Sequence, residues 1–218
     1  MSKITASRFF LIRHGETGAN REMRYLGSRN DPLTEHGASQ AFQLAQCLAK
    51  FPITEIYSSP LCRAADTALQ ISLALRLPIR TDERLREEAF GDWEGLTLAD
   101  IRARGPQHEK LHAMFESDPH YAPPNGESLA SVQTRVVSLA QELAERHSGS
   151  NIALVSHVGP IKALLATALG APLDTASRLF LDPATISVID WGASPIVRLF
   201  NSHAHMGWQN PRWLDKLS

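Results

Sequence analysis

Short apolar runs alternate along the chain with longer stretches in which apolar residues recur every three or four positions. The first kind predicts buried strands and the second predicts helices. Phe9 to Arg13 is apolar and β-compatible, and Thr34 with Gly37 then introduces a helix over Ala38 to Lys50. Ile56-Tyr57 is a short strand running into Ser58-Ser59-Pro60, where Ser59 as N-cap and Pro60 as first helical residue predict a helix over Leu61 to Leu75. Asn151 to Ser156 is a buried strand by composition, Gly159-Pro160 opens a helix over Ile161 to Leu169, and Gly170 followed by Pro172 ends it. Ser187 to Trp191 and Ile196 to Phe200, either side of Gly192-Ala193-Ser194-Pro195, predict a terminal hairpin.

This alternation implies an α/β fold, a three-layer αβα sandwich whose open, mostly parallel sheet is covered by helices on both faces. The hairpin adds an antiparallel edge strand. Between Trp93 and Glu127 the pattern is less regular, with polar short helices and then a Pro-rich segment from Asp118 to Gly126. An excursion over the top of the sheet at about 97–126 is expected there, as a lid or cap, with a plain surface insertion as the alternative.

Composition narrows the function. The 218 residues are 43% apolar and 21% charged, which suits a single domain (1–218) with a sizeable core. Lys plus Arg number 22 against 23 Asp plus Glu, so no basic excess exists to hold nucleic acid by counterion release. The longest uncharged apolar stretch, Ala163 to Leu173, is well short of the roughly 20 residues that span a bilayer, and the run Phe9 to Ile12 is shorter than a signal-peptide core. No membrane partner is expected. Cys47 and Cys62 are too few for a disulfide framework, and a reducing, cytoplasmic setting is the simpler reading.

In open α/β sheets ligands bind beyond the carboxyl ends of the strands. Arg13-His14-Gly15-Glu16-Thr17 follows the first strand, Arg63 stands on the first helical turn after Ser58-Ser59-Pro60, and His157 follows the strand ending at Ser156. Two histidines and two arginines gathered near helix N-termini call for an anion. At an effective dielectric near 20, each cation about 4 Å from a phosphate charge contributes on the order of 4 kcal/mol before desolvation. Arg forks match phosphoryl oxygens bidentately. Taken singly, His14 or His157 is as readily a buried histidine on a carbonyl, and Arg13 or Arg63 an ordinary ion-pair residue. Joint placement at three strand ends tilts the reading toward a phosphoryl group.

The local strings extend the pattern. Arg13-His14-Gly15-Glu16-Thr17 is followed by Asn20, Arg24 and Gly27, by Pro32-Leu33-Thr34, and by Gly37 and Gln40-Ala41. Then come Ser58-Ser59-Pro60-Leu61-x-Arg63-Ala64, Leu85-x-Glu87, Phe90-Gly91-x-Trp93-Glu94-Gly95, Gly126-Glu127-Ser128 and Ser156-His157-x-Gly159-x-Ile161. Together these strings, from residue 8 to about 165, resemble the histidine phosphatase superfamily, the phosphoglycerate mutase-like proteins. A shuffled chain would contain the first pentapeptide on the order of once in ten thousand tries.

The resemblance implies a metal-independent phosphomonoesterase that hydrolyses a small phosphorylated metabolite with no cofactor. His14 would be the nucleophile and form a phosphohistidine, its other ring nitrogen bonded to a backbone carbonyl to fix the tautomer. Arg13, Arg63 and His157 would hold the equatorial oxygens, Asn20 would add a neutral donor, and Glu87 would protonate the leaving alkoxide and then activate water. That last role asks for a carboxyl whose pKa burial has raised. The chain departs from the family at Asn30, where Asp is usual, at Ser28, where an aromatic is frequent, and at Ser131, where an acid is common. A cofactor-dependent phosphoglycerate mutase is the alternative within the family, but such mutases resemble longer chains with a strongly basic insertion. Here the stretch from Thr97 to Pro124 balances Arg102, Arg104 and Lys110 against Asp100, Glu109, Glu116 and Asp118, which favours hydrolysis.

Readings of another class compete weakly. His108-Glu109-Lys110-Leu111-His112 satisfies the zinc-protease string, but about two shuffled chains per hundred do so too, and its only companions are distant His120, His203 or His205. A phosphate-binding module without turnover would not need nucleophile, acid and clamp together. The tail from Asn201 to Ser218 packs locally by default, with a site-mouth strap or a homodimer contact as alternatives.

Overall fold

A computed structural model describes residues 5–207. The elements follow as β1 (Ser7–Arg13), α1 (Gly18–Arg21), α2 (Glu35–Leu48), β2 (Glu55–Ser58), α3 (Cys62–Leu75) and β3 (Ile79–Thr81), then α4 (Leu98–Ala103), α5 (Pro106–Ser117) and α6 (Leu129–Arg146), then β4 (Asn151–Ser156), α7 (Val158–Leu169), β5 (Ile186–Trp191) and β6 (Ile196–Ser202). One six-stranded sheet has the order β3-β2-β4-β1-β5-β6. β1, β2, β3 and β4 run parallel, while β5 pairs antiparallel with β1 and β6 antiparallel with β5.

The two-residue alternation of β1 divides the core. Phe9 and Leu11 pack with Leu139, Leu143, Leu154 and Leu164 from the α6 and α7 side. Phe10 and Ile12 pack with Leu44, Leu48, Ile56 and Ile71 from the α2 and α3 side. Both faces of the sheet are therefore covered, and its strand ends are left as the place where polar groups can gather.

Three details differ from the pattern reading. Residues 129–146, for which that reading proposes no element, form α6, with Val132, Val136, Leu139, Ala140 and Leu143 buried at helical spacing behind the N-cap Ser128. Ile79–Thr81 adds a short edge strand. Ser59 is not the N-cap of α3: Leu61 occupies that position without a side-chain cap, and the Ser59 hydroxyl is engaged elsewhere. Cys47 and Cys62 are free thiols. Among the described residues no helix is long and apolar enough to cross a membrane. The tail from residue 208 onward, with Trp208 and Trp213, lies outside the described residues.

Two glycines let the loop after β1 meet the start of α2. A Cβ on Gly15 would overlap the Gly37 carbonyl, and one on Gly37 would overlap the backbone of Glu16. Thr34 Oγ1 accepts from Gly37 N at 2.9 Å, and Gln40 Oε1 accepts from Glu16 N at 2.9 Å, which lock the same approach. Because the contact is backbone on backbone, Gly37→Ala has no side chain to displace and must shift the loop that carries His14. A loss of about 1–3 kcal/mol in urea-unfolding free energy is expected. Wild-type stability in this variant would show that the two loops separate freely.

Candidate active site

The strand ends bring the predicted residues together. His14 lies just past β1 and His157 just past β4, and their ring centroids are 5.0 Å apart at 56°. Arg63, in the first turn of α3, is fully buried and donates from Nε to His14 Nε2 at 3.3 Å. Its Nη1 donates to the Arg29 carbonyl at 2.6 Å and its Nη2 to the Gly27 carbonyl at 2.8 Å. Arg13 donates from Nη1 to the Leu181 carbonyl at 2.5 Å. The guanidiniums are thus aimed by carbonyl oxygens from distant loops.

Hydrogen bonds fix the tautomer of His14 and the position of the His157 ring. His14 Nδ1 lies 2.7 Å from the Gly15 carbonyl, which can only accept, so Nδ1 carries the proton and Nε2 keeps its lone pair. Ser59 Oγ accepts from Leu61 N at 3.3 Å and lies 2.7 Å from His157 Nε2. The other ring nitrogen, His157 Nδ1, is buried and has no hydrogen-bond partner among the described residues, a polar atom that a bound phosphoryl group would satisfy. Burial, then the Arg63 and Arg13 charges, hold the His14 pKa well below its ordinary value; burial and Arg63 do the same for His157. Both rings are neutral, and a neutral ring with an unprotonated Nε2 is what nucleophilic attack requires.

Glu87 stands beside the cluster and acts on α7. Its Oε1 accepts from Glu88 N at 3.0 Å and Gly159 N at 2.9 Å, and its Oε2 accepts from Val158 N at 3.1 Å. The first N–H groups of α7 are therefore held by this carboxyl group. At α3 the Asn30 Oδ1 accepts from Cys62 N at 2.7 Å. The first N–H groups of α7 and the first of α3 are therefore engaged by side chains of the protein. Asn30, singled out as a departure from the family, works here as a helix cap. The carboxyl that burial, with Glu87 and Glu127 nearby, pushes well above the ordinary range is Glu88.

Asn20 is engaged locally. Its Oδ1 accepts from Thr17 N at 3.1 Å while Asn20 N donates to Thr17 Oγ1 at 3.2 Å, a reciprocal cap on α1. Other quoted motif residues are scaffolding. Glu94 Oε1 accepts from Ser28 N at 2.8 Å and Phe90 N at 3.2 Å, and Ser156 Oγ donates to the Leu85 carbonyl at 2.7 Å.

Three supports were not anticipated. Arg135 of α6 donates to the carbonyls of Arg84 (2.6 Å), Arg86 (2.8 Å) and Glu87 (3.2 Å) while paired with Glu127, and so fixes the segment that carries Glu87. Asp182, next to the carbonyl that holds Arg13, accepts from Asn201 Nδ2 at 3.3 Å and meets His203 Nε2 at 2.8 Å. Ser59 anchors the His157 ring at Nε2. An arginine on an amphipathic helix and an Asp–His pair 21 residues apart carry no spacing signal, whereas Ser59 was visible inside its motif.

The zinc-protease string lies on α5, where His112 is buried with its Nε2 2.5 Å from the Tyr25 hydroxyl and its ring against Trp93. Among the described residues no three His, Cys, Asp or Glu side chains come together to hold a metal ion.

The chain belongs to the Histidine phosphatase superfamily (branch 1), whose family profile matches residues 9–201. It is 39% identical over 206 residues to a Mycobacterium tuberculosis protein named Bifunctional protein Rv2228c, covering 93% of this chain and 56% of that protein. The chain thus spans about half the length of that relative. It is 34% identical over 183 residues to Phosphoserine phosphatase 1 of Hydrogenobacter thermophilus, covering 84% of this chain and 85% of the relative. Among solved structures, a mycobacterial glucosyl-3-phosphoglycerate phosphatase complexed with VO3 superposes with a TM-score of 0.83 at 32% identity, over 89% of this chain and 99% of that one.

The lowered histidine values make stability depend on pH. Above the ordinary histidine value of 6.5 both rings are neutral folded and unfolded. As pH falls below it, the unfolded chain takes up protons that the folded chain refuses, so stability is lost on the acid side. Each ring costs at most about 1.4 kcal/mol for the first pH unit. Urea midpoints measured from pH 6.5 down to about 5.5 should fall more steeply for wild type than for His157→Gln. Equal slopes would mean that His157 accepts a proton in the folded protein.

Proposed function

We propose that the protein is a metal-independent phosphomonoesterase that hydrolyses a small phosphorylated metabolite through a phosphohistidine at His14. The observation that carries this reading is the neutral His14 ring, with Nδ1 on the Gly15 carbonyl and Nε2 beside Arg63, 5.0 Å from His157. His14 Nε2 attacks phosphorus in line and the ester P–O bond breaks. Arg13, Arg63 and His157 hold the equatorial oxygens, and Asn20 adds a neutral donor. Glu87 gives a proton to the departing alkoxide and is left as a carboxylate accepting three N–H groups. It then takes a proton from water as that water attacks the phosphohistidine, which releases inorganic phosphate and restores the ring. One catalytic domain carries the chemistry, with the 97–126 excursion as its cap, and the two unpaired thiols favour a reducing cytoplasm.

His14→Asn should abolish p-nitrophenyl phosphate hydrolysis by about a thousandfold or more. Rapid quenching of wild type should trap an acid-labile phosphoenzyme that the variant lacks, and EDTA should leave turnover intact. Full activity in the variant, or loss on chelation, would overturn the mechanism. Isomerisation of phosphoglycerate that requires 2,3-bisphosphoglycerate would assign a mutase instead.

Glu87→Gln should slow alkyl phosphate esters by about 10²–10⁴ and p-nitrophenyl phosphate far less, because only the poor leaving group needs the proton. A uniform loss across leaving groups would make Glu87 a structural cap rather than the acid.

A further inference from the structure

Glu88 is a buried titratable group for which the phosphoryl chemistry has no use. It is 5% exposed, and its Oε1 has no hydrogen-bond partner among the described residues. It lines a cavity of about 250 Å³ together with Glu87 and Gly159, so this cavity begins where the phosphate cluster ends. Rings of Tyr25, Phe90 and Phe115 also line it, the last contributed by α5 of the 97–126 excursion. That position, on the Glu87 side of the cluster, is where the alcohol half of a phosphate ester would extend.

The charge of this cavity is one-sided. Glu87, Glu88, Glu116, Asp118 and Asp174 line it against the single ammonium of Lys162. Glu116, Asp118 and Asp174 are exposed and screened by water, whereas Glu88 is enclosed. A buried polar group without a partner costs stability until something satisfies it, so its preference is felt strongly by whatever enters.

We propose that Glu88 is a specificity-determining residue whose unpartnered carboxyl oxygen hydrogen-bonds a hydroxyl or ammonium of the leaving alcohol, so that the site selects uncharged or cationic alcohols over those bearing a carboxylate. The inference rests on the phosphomonoesterase reading and adds the class of leaving group to it. Burial and the neighbouring Glu87 raise the Glu88 carboxyl; ionised, it accepts from a hydroxyl or ammonium and repels a carboxylate, and protonated, it both donates to and accepts from a hydroxyl.

A matched pair of esters tests this. sn-Glycerol 3-phosphate and 3-phosphoglycerate share a skeleton and differ in a terminal hydroxymethyl against a carboxylate. Wild type should prefer the first by about tenfold or more in kcat/KM, and Glu88→Gln and Glu88→Leu should shrink that ratio to about threefold or less, mainly through KM. p-Nitrophenyl phosphate, whose phenol carries neither donor nor carboxylate, reports separately whether the phosphate cluster turns over. A wild-type preference for 3-phosphoglycerate overturns the proposal without any variant. So does an unaltered ratio in both variants while p-nitrophenyl phosphate is still hydrolysed. If wild type hydrolyses none of the three esters, the phosphomonoesterase reading itself fails and this inference falls with it.

Discussion

A concentration of positive charge in a dry place, with backbone carbonyls among its partners, governs the architecture of this protein. Arg13, His14, Arg63 and His157 are each at most 7% exposed. Such a group of cations would repel itself if all were charged, and burial resolves the conflict by keeping the two rings neutral while the two guanidiniums stay charged. The carbonyls of Gly27, Arg29 and Leu181 supply partial negative charge without quenching the field that a phosphoryl group would meet. The same desolvation that costs stability at low pH leaves His14 with its nucleophilic lone pair.

The carboxyl groups are placed with equal economy. Glu87 meets the N–H groups of α7, and Arg135 clamps the carbonyls that precede it, so the carboxyl beside the arginine and histidine cluster cannot drift. Glu87 engages the first N–H groups of α7, and Asn30 the first of α3. The geometry is set by hydrogen bonds between segments far apart in the chain. The 97–126 excursion joins this framework through α5, with Tyr25 and Trp93 packed on His112 and Phe115.

Much of this was legible before any coordinates. The two-residue alternation of Phe9 to Ile12 and the apolar run at Ile152 to Val155 identify central strands because burial on both faces leaves only apolar choices. The strings around His14, Arg63 and His157 mark strand ends because each sets charged or titratable residues just after an apolar run. α6 was equally periodic in Val132, Val136 and Leu139, but its polar residues dilute the signal. Arg135 and the Asp182–His203 pair were invisible because their partners are carbonyls and side chains that only tertiary packing brings near. The cap of α3 was misread for a related reason: Ser59 fits the local capping rule, yet the stronger demand of His157 claims its hydroxyl.

The anchoring of Arg13 has a consequence for biosynthesis. Its carbonyl acceptor sits at residue 181, and the adjoining Asp182 is steadied by Asn201 and His203. A nascent chain emerging from the ribosome can assemble the loop around His14 early. The bond from Arg13 to this carbonyl can form only after residue 181 has been synthesised, and the bonds to Asp182 only after residues 201–203 have followed. The first strand of the sheet is thereby completed by contacts from far along the chain.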